Sequence, residues 1–153
     1  MSAQLTSDPE PEANLGYLFR LAYQRFRAAL DDALQDLALS AQEYVILSVF
    51  ETRSELSTSE LARLTQVTRQ TMHTAVVGLE TAGLLERRPK NPRVVLVRPT
   101  KRGRRTLADA TDRVRAVERA ALAGLSRNDE RAVRSWLATI TTITTSTRPT
   151  NAE

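Results

Sequence analysis

The sequence predicts a mainly α-helical chain with one small β-hairpin, and three observations carry that expectation. Apolar residues recur in steps of three and four over most of the 153 residues, as in helices that bury one face. Ser40 and Ser57 each precede a Glu by three positions (Glu43, Glu60), the spacing of a capping box at a helix start. Two short β-prone segments, Leu84-Leu85-Glu86-Arg87-Arg88 and Arg93-Val94-Val95-Leu96-Val97-Arg98, flank the turn-forming Pro89-Lys90-Asn91-Pro92, a four-residue connection without glycine.

The elements follow in order. Residues 1–12 are polar and broken by Pro9 and Pro11, which predicts a disordered tail. Leu15, Leu18/Phe19, Ala22, Phe26, Ala29/Leu30, Ala33 and Leu37 then mark a long amphipathic first helix within 13–37. Ser40 opens a second helix whose Tyr44, Val45, Ile46, Leu47, Val49 and Phe50 are apolar nearly all round, so it should be central. Ser57 caps a short third helix through Leu64, and Thr68 caps a fourth that runs to about Thr81 before Gly83 stops it. After the hairpin, a fifth helix from Thr100 carries Leu107, Ala110, Val114, Val117, Ala121 and Gly124 as a stripe for packing against another helix. Gly124 and Ser126 mark the break to a sixth, with Val133, Trp136/Leu137, Ile140 and Ile143 on one face. Residues 147–153 are a segment of the same kind, expected to be a second disordered tail. The expected organisation is thus a central module at 38–100 between helical regions at 13–37 and 101–146.

An apolar content of 41% with 26% charged residues is ordinary for a soluble globular protein. The longest apolar runs, Tyr44 to Leu47 among them, are far short of the roughly 18 residues of a membrane span, and the acidic start lacks signal-peptide features. A cytoplasmic protein without membrane association is expected. Zero cysteines exclude disulfides, thiolate metal sites and cysteine nucleophiles. His73 is the only histidine, no carboxylates cluster around it, and the five glycines form no phosphate loop. Neither an enzyme nor a metal or cofactor site is expected.

The charge is concentrated. Residues 57–105 hold eleven Lys/Arg against Glu60, Glu80 and Glu86, a net of +8 inside a chain whose total is +4. The flanks carry −5 (residues 1–56) and +1 (residues 106–153). On the fourth helix Met72, Ala75/Val76 and Leu79 make an inward stripe, which leaves Arg69, Gln70, His73, Thr74 and Val77 outside. Arg and Gln have the bidentate geometry that reads guanine and adenine edges, and the hydroxyls of Thr68 and Thr71 sit where a helix start meets phosphate. A short helix, a tight turn at Thr65 to Val67 and a polar-faced helix make a helix-turn-helix. Ser57 and Thr58 at the start of the third helix join the candidate DNA contacts. So do Arg87, Arg88, Lys90 and Arg93, which with Arg98 put five cations on about twelve residues of hairpin, a density suited to a polyanion.

Several stretches together resemble the MarR family, the winged helix-turn-helix regulators named for multiple antibiotic resistance. Asn91-Pro92-Arg93, the strand Val94 to Val97, then Pro99-Thr100 and Gly103 keep the spacing of the family's wing and of the helix that follows. Leu39-Ser40-Ala41-Gln42-Glu43-Tyr44 looks like its entry to the second helix, and Leu79 to Arg88 is similar to its helix-to-wing junction. The resemblance covers about Leu15 to Ile143. Asn91 stands where the family usually has an Asp that braces the wing Arg, Pro99 replaces a Leu, and Thr74, Val77 and Gly78 replace polar or charged residues. The turn before Arg93 is about two residues short.

The resemblance implies a transcriptional regulator, a repressor, that works as a homodimer on a pseudo-palindromic double-stranded DNA site. The first, fifth and sixth helices would hold the dimer, consistent with three amphipathic helices that exceed what one small lobe covers. It also implies release by a small phenolic or aromatic ligand, with Tyr17, Arg20, Tyr23 and Tyr44 as candidate lining groups. Val77, Gly78 and the altered wing motivate one alternative, a winged-helix protein-interaction module without DNA binding. The retained +8 argues against it.

Overall fold

Hydroxyl caps start the helices where the sequence marks them. In the computed structural model, which describes residues 14–91 and 94–142, Ser40 begins α2 (Ala41–Ser48) and Ser57 begins α3 (Thr58–Thr65), each closed reciprocally with its Glu. Thr68 caps α4 (Arg69–Thr81) and Ser126 caps α6 (Arg127–Ile140). The first helix, α1, spans Leu15–Leu34, and α5 spans Lys101–Ala121. The periodicity that ran on to Leu37 ends in a 3₁₀ turn at Gln35–Leu37, closed by Ala38 in the left-handed conformation. Residues 1–13, 92, 93 and 143–153 lie outside the described residues, and with them both predicted tails, Arg93 and Ile143.

The chain falls into two compact units, residues 1–118 and 119–153. In the first, Leu34, Ile46, Leu47, Leu61, Met72, Val76, Leu79 and Val97 are fully buried and form the centre of one core. α2 contributes Ala41, Ile46 and Leu47 to this interior but exposes Val45, so it is central on one face rather than all round. Leu107, Ala110 and Val114 of the α5 stripe are buried in the same core. The end of α1 is tied down by polar contacts: Asp31 Oδ1 accepts the Ala41 N–H at 2.7 Å, and Arg113 donates to the Ala33 carbonyl at 3.0 Å.

The hairpin differs from the expected one in two ways. The first strand, β2 (Leu85–Asn91), runs through Pro89 and Lys90, residues assigned by the sequence to the connection, and absorbs them in an irregularity of register between Pro89 and Asn91. Pro89 lacks an amide donor, which explains why the ladder breaks there. The sheet also has a third strand that the sequence does not announce. β1 (Leu56–Ser57) pairs antiparallel with β3 (Val94–Pro99), Leu56 opposite Val97, and the order is β1-β3-β2.

At the root of the hairpin three elements meet almost backbone to backbone. Gly83, with φ of 70°, turns the chain from α4 into β2. Thr100 Oγ1 donates to the Gly83 carbonyl at 2.7 Å and accepts the Gly103 N–H at 2.9 Å. A Cβ on Gly103 would collide with the Leu84 carbonyl, so the start of α5 requires glycine there. In the second unit, α6 turns Val133, Trp136 and Leu137 outward, 37%, 41% and 40% exposed.

Candidate nucleic-acid interface

The helix-turn-helix is set by local chemistry. α3 ends at Thr65, Gln66 takes a left-handed conformation (φ 55°), and the Val67 amide reaches back to the Ala62 carbonyl at 3.1 Å. α4 then starts at a Thr68 whose Oγ1 accepts the Thr71 N–H at 3.1 Å. Met72, Val76 and Leu79 are buried, which turns Arg69, Gln70, Thr71, His73 and Thr74 outward, all exposed. The side chains of Arg69, Gln70 and His73 make no hydrogen bond or ion pair among the described residues, so their donors and acceptors are available to a partner.

The hydroxyls are more committed. Thr68 and Thr71 share a hydrogen bond of 2.8 Å between their hydroxyl oxygens, and Thr74 donates to the Gln70 carbonyl at 3.2 Å. Ser57 Oγ donates to Glu60 Oε2 at 2.7 Å and accepts the Glu60 N–H at 3.3 Å. These bonds from the Ser57 hydroxyl and, next, its backbone N–H hold the Glu60 carboxyl below its ordinary pKa. Ser57 therefore serves the helix start first, and Thr58 beside it is half-buried.

The wing's cations divide into two sets. Arg87 Nε–H lies 2.9 Å from both carboxylate oxygens of Glu80, Arg98 Nε donates to Glu86 at 2.6 Å, and Arg88 is 3.8 Å from Glu55. Among the described residues no carboxylate lies within ion-pair distance of Arg63, Arg69 or Lys90. Arg87, Arg98 and, more loosely, Arg88 thus face acids, whereas Arg69 of α4, Lys90 toward the wing tip and Lys101, Arg102, Arg104 and Arg105 at the start of α5 have no carboxylate within ion-pair distance among the described residues.

One wall of the surface was not foreseen. Gln42 and Glu43 of α2 face Gln70, Thr71, Thr74 and Gly78 of α4 across an open groove of about 580 Å³. The only signal that could have placed Gln42 there is the pairing of two helices distant in sequence. Of the candidate ligand-lining groups, Arg20 lies over the Tyr17 ring, 5.5 Å from its centroid, and donates to Gln24 at 3.1 Å. Tyr23 is exposed on the same helix and Tyr44 packs half-buried against the core, neither in ring contact or hydrogen-bonded with that pair. Among the described residues no three metal-ligating side chains cluster, and no helix is long and apolar enough to cross a membrane.

The sequence profile of the MarR family matches residues 39–93, from the entry to α2 through the wing turn. The HTH-type transcriptional repressor Rv2887 of Mycobacterium tuberculosis is 34% identical over 128 residues, which cover 82% of this chain and 92% of that protein. The chain belongs to the MarR family. Solved MarR relatives share its fold: the M. tuberculosis MarR family protein Rv2887 in complex with salicylic acid aligns with a TM-score of 0.66 at 32% identity, covering 85% of this chain and 98% of that one. A probable transcriptional regulator from Pseudomonas aeruginosa aligns with a TM-score of 0.77 at 26% identity, covering 86% and 99%. This MarR protein is accordingly a winged helix, mostly helical with a three-stranded antiparallel sheet, and its curated relatives are repressors rather than enzymes.

Proposed function

We propose that this MarR protein is a homodimeric repressor that binds a pseudo-palindromic site on double-stranded DNA through α4 and the wing. The observation that carries the reading is the outward face of α4, where Arg69, Gln70 and His73 are exposed with unspent hydrogen-bonding groups above a fully buried Met72 and Val76. In this reading Thr68, Arg69, Gln70, Thr71, His73 and Thr74 occupy the major groove, Ser57 and Thr58 approach phosphate, and Arg93 and Lys90 lead the wing. Two-fold symmetry sets the two α4 helices about 34 Å apart, one turn of duplex. The exposed apolar residues of α1 and, separately, those of α6 are what a second copy covers. The module lies in the cytoplasm and needs no cofactor.

The salicylic acid complex of the mycobacterial relative supports an aromatic carboxylate as the effector class. Arg20 supplies a cation for the acid, and Tyr17, Tyr23 and Tyr44 supply aromatic surface. Such a ligand releases DNA only by binding better to one lobe spacing than to the other.

Gel-shift titration of Gln70→Ala and Arg93→Ala against a duplex enriched from a randomised pool tests the reading. Gln70→Ala is expected to cost about 1 to 3 kcal/mol concentrated at one base pair of each half-site, and Arg93→Ala to weaken binding to all sequences alike. Equal, sequence-blind losses from both, or an affinity indifferent to salt, would reject these assignments.

A further inference from the structure

We propose that Glu80 is a positioning residue for DNA recognition: its carboxylate takes the Nε–H of Arg87, sets the angle of the wing to α4, and keeps Arg87 off the phosphate backbone. The inference rests on the DNA-binding reading and reassigns one of its cations. Glu80 occupies the last turn of α4, Arg87 lies on β2, and the pair spans the Gly83 turn where α4 gives way to the wing. Both carboxylate oxygens lie 2.9 Å from the same Nε.

Other contacts hold the turn itself. The Leu84 amide donates to the Leu79 carbonyl at 2.8 Å, and Thr100 grips Gly83. These end at residue 84. Arg87 stands farther out along the strand, opposite Val97 in the ladder, so the ion pair acts on the wing beyond those turn contacts, on the β2 side, level with the pairing of Leu56 with Val97 on the β1 side. An ion pair at a partly exposed site adds little to stability, since water and salt screen it. Its geometric restraint on two elements that must fit one duplex together is the larger effect. Phosphate positioning and base reading are separate tasks, and a wing at the wrong angle spoils register without removing a charge contact.

The test has a DNA-free arm and a DNA arm, both on the full chain. In the free protein, the Arg87 Nε–H is expected to exchange slowly with solvent and to lose that protection in Glu80→Gln; fast exchange in the wild type would overturn the brace. In the DNA arm, Glu80→Gln and Arg87→Gln are each expected to lower affinity for the enriched duplex about three- to fivefold, and the double variant to be no worse than either single one. Affinity for a random-sequence duplex should keep its wild-type salt slope in Arg87→Gln, because no phosphate contact is lost. The charge-swapped E80R/R87E protein should recover part of the loss on the enriched duplex. A salt slope shallower by about one per protomer in Arg87→Gln, with Glu80→Gln neutral, would make Arg87 a phosphate contact and sink the proposal. A wild type that binds neither duplex would overturn the DNA-binding reading instead, while the exchange arm still decides whether the brace exists.

Discussion

α4 and α6 are nearly the same length, 13 and 14 residues, and each starts at a hydroxyl cap, yet they treat their apolar faces in opposite ways. α4 buries Met72, Val76 and Leu79 almost completely and presents a polar face with unspent donors. α6 leaves Val133, Trp136 and Leu137 more than a third exposed. A helix whose apolar side is satisfied within its own unit is free to use the other side for recognition; one whose apolar side is open still needs a neighbour. α1 shows both states along one helix: Leu34 is buried and Leu30 packs against the core, while Leu15 and Tyr23 are 61% and 59% exposed.

That contrast can be broken or sharpened experimentally. The largest effect is expected from Met72→Ala, which opens a cavity under α4 and should lower unfolding free energy by about 2 to 5 kcal/mol in denaturant titration. A loss no greater than that of Val133→Ala would erase the distinction between the two helices. Next, Trp136→Asp should leave the helical circular-dichroism signal intact but weaken self-association by about 2 kcal/mol or more, a roughly thirtyfold rise in dissociation constant by sedimentation. An unchanged association state would mean that the α6 face is not what a second copy covers. Smaller again, Thr68→Ala removes the α4 cap and should cost about 1 kcal/mol of stability. If Thr68 works only as a cap, Asp at that position should restore stability and leave DNA affinity reduced only by its added negative charge.

The smallest effect concerns α3. The Glu60 carboxyl is held below its ordinary pKa by Ser57, so its contribution is present above the unfolded carboxylate range and is lost as pH falls through the lowered folded value. Ser57→Ala should move the Glu60 titration, followed by NMR, up toward the ordinary range and flatten that acid limb. A Glu60 titration that does not move would show that the cap is not its cause.

Much of the helical framework was legible because its signals are short-range. A capping box joins residues three apart, so Ser40/Glu43 and Ser57/Glu60 announce α2 and α3 without any knowledge of the rest of the chain. The outward set of α4 follows from where Met72, Val76 and Leu79 fall on a 3.6-residue repeat. β1 was not legible, because two residues carry no pattern and their strand identity is conferred by β3, some forty positions away. The partners of Arg87, Arg88 and Arg98 were invisible for the same reason: a sequence counts charges but does not say which acids stand opposite them once strands are paired.

By itself, then, the amino-acid order determined where helices begin, which side of α4 is polar, and that a dense positive charge accompanies the helix-turn-helix. Those properties depend on neighbours within one turn of backbone. Only the tertiary structure decided that Gly103 must be glycine, that α1 buries Leu34 at its end while Leu15 and Tyr23 stay exposed, and that Arg87, Arg88 and Arg98 face acids. Each of these is a meeting of segments far apart in the chain, where contact distance rather than local periodicity sets the outcome.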